Sequence, residues 1–346
     1  MRILPLFVLL GSLFLSAQAQ GRDYIYVVGS STVYPFTTLV AERFAKSTRF
    51  PAPKVESTGT GGGMKLFCEG IGVQHPDIEN ASRRIKPSEF ETCQRNGVKE
   101  IVEIKIGYDG IVLAHSRQSP PWKNLALRQV WLALAKQVPD PKGGDKLIPN
   151  PYRKWRDIDP NLPDLAIKVY GPPPTSGTRD AFAELALEGG CSNFPWIKAL
   201  KEKDEARFKE ICHTVREDGA YIEAGENDTL IVRKLEADPS ALGVFGYSFQ
   251  EQNSDLIAGA PIEGIEPSFE NIAAGAYPIS RPLYIYAKKA HVGVIPGLPE
   301  FLDEYTSEKA WGEEGYLADK GLIPLPKKER ETYRKTAKEL TPLKSL

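Results

Sequence analysis

At 346 residues the chain is long enough for two domains of ordinary size, each with its own core. Its charge is almost balanced, 44 Lys and Arg against 45 Asp and Glu for a net −1. No global field therefore points to nucleic acid or an anionic membrane as partner, and any recognition of an anion must be local.

Residues 1–19 read as a secretory signal peptide. Arg2 supplies the positive start, LPLFVLLGSLFL the apolar core and Ala17-Gln18-Ala19 the small-x-small cleavage pattern, so the mature chain begins at Gln20. The apolar core is too short for a stable membrane span, and no cysteine follows it where a lipid anchor would sit. Four cysteines remain: Cys68, Cys93, Cys191 and Cys212. In an oxidising compartment an even count favours disulfides. Of the three connectivities we expect Cys68–Cys93 with Cys191–Cys212, because each pair closes a loop of modest length. A zinc site fails on spacing, since there is no CxxC and the four histidines are scattered.

Asp23 to Thr48 predicts a β-branched strand, a turn at Gly29-Ser30-Ser31-Thr32 and a helix with Pro35 near its start and Phe36, Leu39, Val40 and Phe44 on one face. Val55 to Gly72 repeats the logic around a glycine-rich turn, with Met64, Phe67, Cys68 and Ile71 at helical spacing. A third strand, Asp77 to Ala81, ends in Ser82-Arg83-Arg84 ahead of a helix opened by Pro87-Ser88-Glu89. Three such turns in succession predict a parallel open sheet whose carboxyl edge carries anion ligands.

Val102 to Ser116 predicts a long crossing strand, with Gly107 and Gly110 giving the freedom of a hinge. A helix over Arg128 to Ala135, a loop over 139–165 and a strand over Ala166 to Tyr170 follow. The stretch from Tyr170 to Gly190 is the most informative in the chain. Three prolines deliver a stiff, extended lead into Thr175 and Ser176. A short amphipathic helix then carries Phe182, Leu185 and Ala186 and stops at Gly189-Gly190. Its first N–H groups lack intrahelical partners and sit beside the hydroxyls of Thr175, Ser176 and Thr178, the bare backbone of Gly177 and the guanidinium of Arg179, which is the composition of an oxyanion site. Plain N-capping by Ser176 or Thr175 is the alternative reading. Trp196 to Val215 is a charged helical region, Asn227 and Asp228 cap a helix over Thr229 to Glu236, Ala241 to Phe249 is a buried strand, and Tyr277 to Lys289 is a second crossing. Residues 20–106 with 280–346 are expected to form one lobe, and 107–279 the other.

Eight ordered motifs then carry a resemblance over nearly all of the mature chain: GSSTVYPF from Gly29, TGTGGGMK from Thr58, NASRRIKPSE from Asn80, GYDGIVLA from Gly107, TSGTRDAF from Thr175, GENDTLIV from Gly225, GVFGY from Gly243 and YPISRPLYIY from Tyr277. Together they resemble the periplasmic phosphate-binding proteins, the PstS-like solute receptors of ABC transporters. That resemblance implies an α/β, two-lobed type II periplasmic-binding-protein fold that encloses one inorganic phosphate in the interlobe cleft and delivers it, as a periplasmic monomer, to a membrane permease. Carried over by position, the phosphate ligands are Ser31, Thr32 and the Val33 amide, Thr60, Ser82, Arg83, and Ser176, Gly177, Thr178 and Arg179, with Asn227 also in reach. One branch of the family has an aspartate after the third-turn serine, and an arginine and an aspartate before the SGT. Here those places hold Arg83, Pro172 and Pro174, so Arg83 and Arg179 are expected to supply the charge. Only protonated phosphate brings O–H donors, so a buried carboxylate in the site favours it over sulfate; Asp109, Glu56 and Asp228 are the candidates. The alternatives are a sulfate or other oxyanion receptor and a phosphate-ester hydrolase. The second needs a nucleophile with its base, or a metal pair, and the chain has no GxSxG, HExxH or GxxxxGK[ST].

Overall fold

The computed structural model describes residues 21–174, 176–225 and 228–346. The signal segment, Thr175 and Asn227 lie outside these. Strands β1 (Tyr26–Gly29), β2 (Lys54–Ser57) and β3 (Ile78–Ala81) are parallel, with β1 central and Val27 opposite both Val55 and Ile78. Val27 and Val28 are both fully buried, as a strand covered on both faces requires. The strands alternate with helices α1 (Tyr34–Ser47), α2 (Thr60–Phe67) and α3 (Pro87–Arg95). Phe36, Val40 and Phe44 form the buried stripe of α1, and the Glu89 carboxylate opens α3 by accepting the Lys86 amide at 2.9 Å.

The sixteen-residue strand β4 (Ile101–Ser116) connects two sets of strands. After it come β5 (Gln137–Pro139), β6 (Leu147–Pro149), β7 (Val169–Gly171), β8 (Tyr221–Glu223), β9 (Leu242–Gly246), β10 (Ile257–Gly259) and β11 (Ser280–Lys288). Among the described residues the main sheet runs β2-β1-β3-β11-β4-β9-β7-β8, with β10 also on β4. The first part of β4, through Gly110, pairs antiparallel with β11; its last part, from Ile111, pairs with β9 and β10. One apolar core spans Tyr108 to Ile279 with Ile323 and Leu325, and another joins Val27, Phe44 and Ile104 to Phe301, Tyr305 and Trp311. Disulfides close Cys68 to Cys93 and Cys191 to Cys212, the local pairing expected from the spacing.

Three local expectations need correction. Residues 139–165 are not all loop: β5 pairs with β6, and Trp155–Ile158 forms a helical turn because Trp155 is fully buried edge-on against Trp122. The helix begun at Gly177 does not stop at Gly189-Gly190 but runs to Cys191. Gly190 is there for close packing, since a Cβ would strike the Leu127 carbonyl and lie 2.5 Å from the Trp131 Cβ. The strand expected through Phe249 ends at Gly246 and a helix follows at once, Tyr247–Gln252. Gly107 also serves close packing, since a Cβ on it would lie 2.7 Å from the Ile323 carbonyl.

Candidate functional site

The carboxyl ends of β1, β2 and β3 deliver the three predicted turns to one edge of the sheet. In the first, Ser30 is the organiser: its amide donates to the Asn80 carbonyl at 2.7 Å, and its hydroxyl accepts the amides of Thr32 at 3.2 Å and Val33 at 3.4 Å. Sequence reasoning overlooked Ser30, whose signal was its place two residues before Thr32 in a hydroxyl-rich turn. Ser31 and Thr32 then lie against the segment Ser176 to Thr178.

That segment meets the first turn closely. Gly177 opens α6 (Gly177–Phe182), after α4 (Leu127–Leu134) and α5 (Trp155–Ile158), and a Cβ on it would lie 3.0 Å from the Ser31 carbonyl and 3.3 Å from the Thr32 Cα. Here a glycine eases the close approach of two backbones, which a Cβ would crowd. Ser176 caps the helix, its hydroxyl accepting the Thr178 amide at 3.2 Å. The Ser31 hydroxyl donates to Asp180 Oδ2 at 2.6 Å.

Ser31, Thr32, Ser176, Gly177 and Thr178 thus line one cavity of about 530 Å³, together with Asp109 and Asp228. Thr60 and Ser82 stand on the wall of a neighbouring cavity of about 570 Å³, their hydroxyls 3.0 Å apart and the Ser82 amide donating to Thr60 Oγ1 at 3.1 Å. Arg83 lines that second cavity too, but its guanidinium is forked onto Glu89 at 2.7 and 2.9 Å. Arg179 lines a third cavity and lies over the Tyr221 ring, 4.4 Å from its centre. Neither predicted arginine reaches the cavity that holds Ser31. The guanidinium that does reach the first turn is Arg281, from the start of β11, whose Nη2 donates to Thr32 Oγ1 at 2.8 Å. Val33 is fully buried, with its amide already taken by Ser30.

Of the three carboxylates proposed from sequence, Glu56 is elsewhere. It accepts from the Tyr26 hydroxyl at 2.6 Å and pairs with Lys54, whose hydrogen bond holds it below its ordinary value. Asp109 and Asp228 both face the cavity. Burial pushes Asp109 up, with Arg281 pulling it partly back, and burial pushes Asp228 up to about 6. Behind the glycine turn lies Glu79, fully buried, with neither carboxylate oxygen hydrogen-bonded; burial pushes it well above the usual carboxylate range. The first cavity offers hydroxyls and raised carboxyls that can accept or hold a proton, and the Arg281 guanidinium stands on the wall of the second.

A family model described as a PBP superfamily domain matches residues 16–309. The chain belongs to the PBP superfamily. Within it, the chain is 30% identical over 330 residues to Protein SphX of Synechocystis sp., covering 94% of this chain and 85% of that one. It is 29% identical over 315 residues to the phosphate-binding protein PstS of Staphylococcus saprophyticus, covering 90% and 83%. Among solved structures it is similar to a possible phosphate binding protein from Planctomyces limnophilus, with a TM-score of 0.71, 26% identity, and coverage of 92% of this chain and 98% of that one. The superfamily fold accounts for the curled mixed sheet and for the meeting of turns from both of its ends.

Proposed function

We propose that the protein is an exported solute receptor that captures inorganic phosphate and delivers it to the membrane permease of an ABC importer, with no turnover of its own. The observation that carries this reading is the contact of Gly177 with the Ser31–Thr32 turn, which brings hydroxyls from two ends of the sheet onto one cavity. Relatives named as phosphate-binding proteins across most of the chain's length support it. In this reading residues 20–106 with 280–346 form one lobe and 107–279 the other, residues 1–19 are removed on export, and the receptor works in the periplasm as a monomer. Ser31, Thr32, Ser176, Gly177 and Thr178 bind the anion, with Thr60 and Ser82 on the neighbouring wall. Arg83 and Arg179 are outer charges. Asp109 is the acceptor for the phosphate proton, which sulfate lacks.

Calorimetric titration of the mature chain with phosphate, arsenate and sulfate tests this. Phosphate should bind at least about tenfold tighter than sulfate, the discrimination expected when a buried acceptor loses its donor. Absence of binding by phosphate would sink the reading, and release of phosphate from an ester substrate would replace it with the hydrolase.

A further inference from the structure

We propose that Arg281 is a ligand of the bound anion and that Glu184 and Asp180 are built-in competitors, holding the Arg281 and Ser31 donors respectively until the anion displaces them. The inference rests on the phosphate reading and concerns the same site. The Arg281 side chain is only 10% exposed, and it is not saturated. Nη2 holds Thr32 Oγ1, Nη1 holds Glu184, and Nε faces Asp109 Oδ2 at 3.6 Å, too long for a hydrogen bond. Nε and that carboxylate oxygen thus face each other as a buried ion pair, and neither has a hydrogen-bond partner among the described residues. Buried polar groups are seldom left without a hydrogen bond, and here the donor belongs to a guanidinium that lines the second cavity with Thr60, Ser82 and Glu184 and is joined to the turn that lines the first.

Glu184 has the opposite character. Its side chain is half exposed, so leaving Arg281 returns it to water at little cost. It comes from a π-helical stretch, Ala183–Leu187, inserted in the helix that Gly177 opens. Such irregularities turn side chains away from the regular spacing and recur at functional sites. On the same helix Asp180 takes the Ser31 hydroxyl, one turn before Glu184 takes Arg281. Two carboxylates from one helix therefore satisfy two donors that a tetrahedral oxyanion would use. The anion must drive both away, because like charges cannot share those donors. Apparent affinity is then lowered by the fraction of molecules in which the carboxylates hold the site.

The test compares phosphate titrations of the wild type with Glu184→Gln, Asp180→Asn, Arg281→Gln and a control, Glu188→Gln. Glu188 lines the same second cavity but pairs with Lys201 and His213, not Arg281. Loss of a competitor should tighten binding about tenfold in Glu184→Gln, whereas loss of a nearby charge alone should change Glu188→Gln less than about threefold. Arg281→Gln should weaken binding at least about 100-fold, and adding Glu184→Gln to it should restore nothing. Equal gains in Glu184→Gln and Glu188→Gln would overturn the displacement idea, as would a folded Arg281→Gln that binds within about threefold of wild type. If Arg281→Gln does not fold, the two glutamate variants decide. A wild type that binds phosphate while these variants behave alike removes this inference alone; a wild type that binds none of the oxyanions removes the functional reading with it.

Discussion

Strand β11 carries a buried cation at each end, and the two ends are built differently. At its far end Lys288 is 1% exposed, donates to the Gly70 carbonyl at 2.6 Å and lies 4.8 Å from the centre of the Phe67 ring. Beside it the fully buried Asp77 accepts from Arg22 at 2.6 and 2.8 Å, from the Tyr26 amide at 2.7 Å and from His291 Nδ1 at 2.6 Å. His291 Nε2 accepts the Gly72 amide at 2.9 Å, so the proton on that ring sits on the nitrogen facing Asp77. Every strong group there has a partner. At the near end Arg281 Nε and Asp109 Oδ2 face each other at 3.6 Å with no hydrogen bond, each residue on a cavity wall. A closed network fixes backbone segments to one another, whereas an open one at a cavity wall leaves donors for something that arrives later.

The comparison breaks most sharply at Asp77. Asp77→Ala leaves Arg22 and His291 without their buried counter-charge and should cost about 3–5 kcal/mol in urea unfolding, while the folded fraction binds phosphate as the wild type does. Burial favours a raised value for Asp77, but the hydrogen bonds from His291, Arg22 and Tyr26 outweigh it and hold the carboxyl below its ordinary value. Its contribution is therefore present above about pH 4 and is lost as pH falls through the depressed value. Lost phosphate affinity in folded Asp77→Ala would mean the two ends are coupled.

Lys288 gives the next largest effect, with the opposite sign. Burial pulls its amine down to about 7, so the fold disfavours the charged form. The cost is complete below pH 7 and disappears as pH rises toward about 10.4, the value in the unfolded chain. The stability of the wild type relative to Lys288→Met should thus rise by about 2–4 kcal/mol between pH 6 and pH 10. A gap independent of pH would show that water or a carboxylate already compensates the amine.

These two ends also mark what was legible in the chain. The three strand-to-helix turns could be read because Ser, Thr and Gly after a β-branched run act locally, and so could the two disulfides, whose loops are short. Arg281 stood in plain view within YPISRPLYIY. Its partners Thr32 and Glu184 are 249 and 97 residues away, and no local spacing reports such a meeting. Arg83 and Arg179 drew attention because they adjoin the turns, yet adjacency does not say where a long side chain ends: one found Glu89 and the other the Tyr221 ring. Gly189-Gly190 misled for a related reason. A glycine needed for contact with α4 looks, in sequence, like one needed for a helix stop.

Asp228 sharpens the picture at the cavity itself. Burial has raised it to about 6, so the fold favours its protonated form. The penalty is therefore full above pH 6 and fades as pH falls toward about 4. Asp228→Asn should be more stable than wild type at pH 8 by about 1–2 kcal/mol, water reaching part of the side chain, and no more stable at pH 4. Thermal melts at the two pH values read this directly, and an equal gain at both would assign the effect to something other than the buried charge.

Arg83 provides the smallest and most discriminating change. To reach an anion at the first turn its guanidinium must first leave both oxygens of Glu89, a fork with side chains 33% and 20% exposed. What it gains from the anion is offset by what it gives up, so Arg83→Gln should shift phosphate affinity less than about threefold. Arg281 gives up only a half-exposed Glu184, and its replacement should be far more damaging. If calorimetry instead ranks Arg83→Gln as the worse variant, the anion is held chiefly by Arg83 on the Thr60–Ser82 wall of the second cavity, which Arg281 also lines, and displacement of Glu184 is not what sets its affinity.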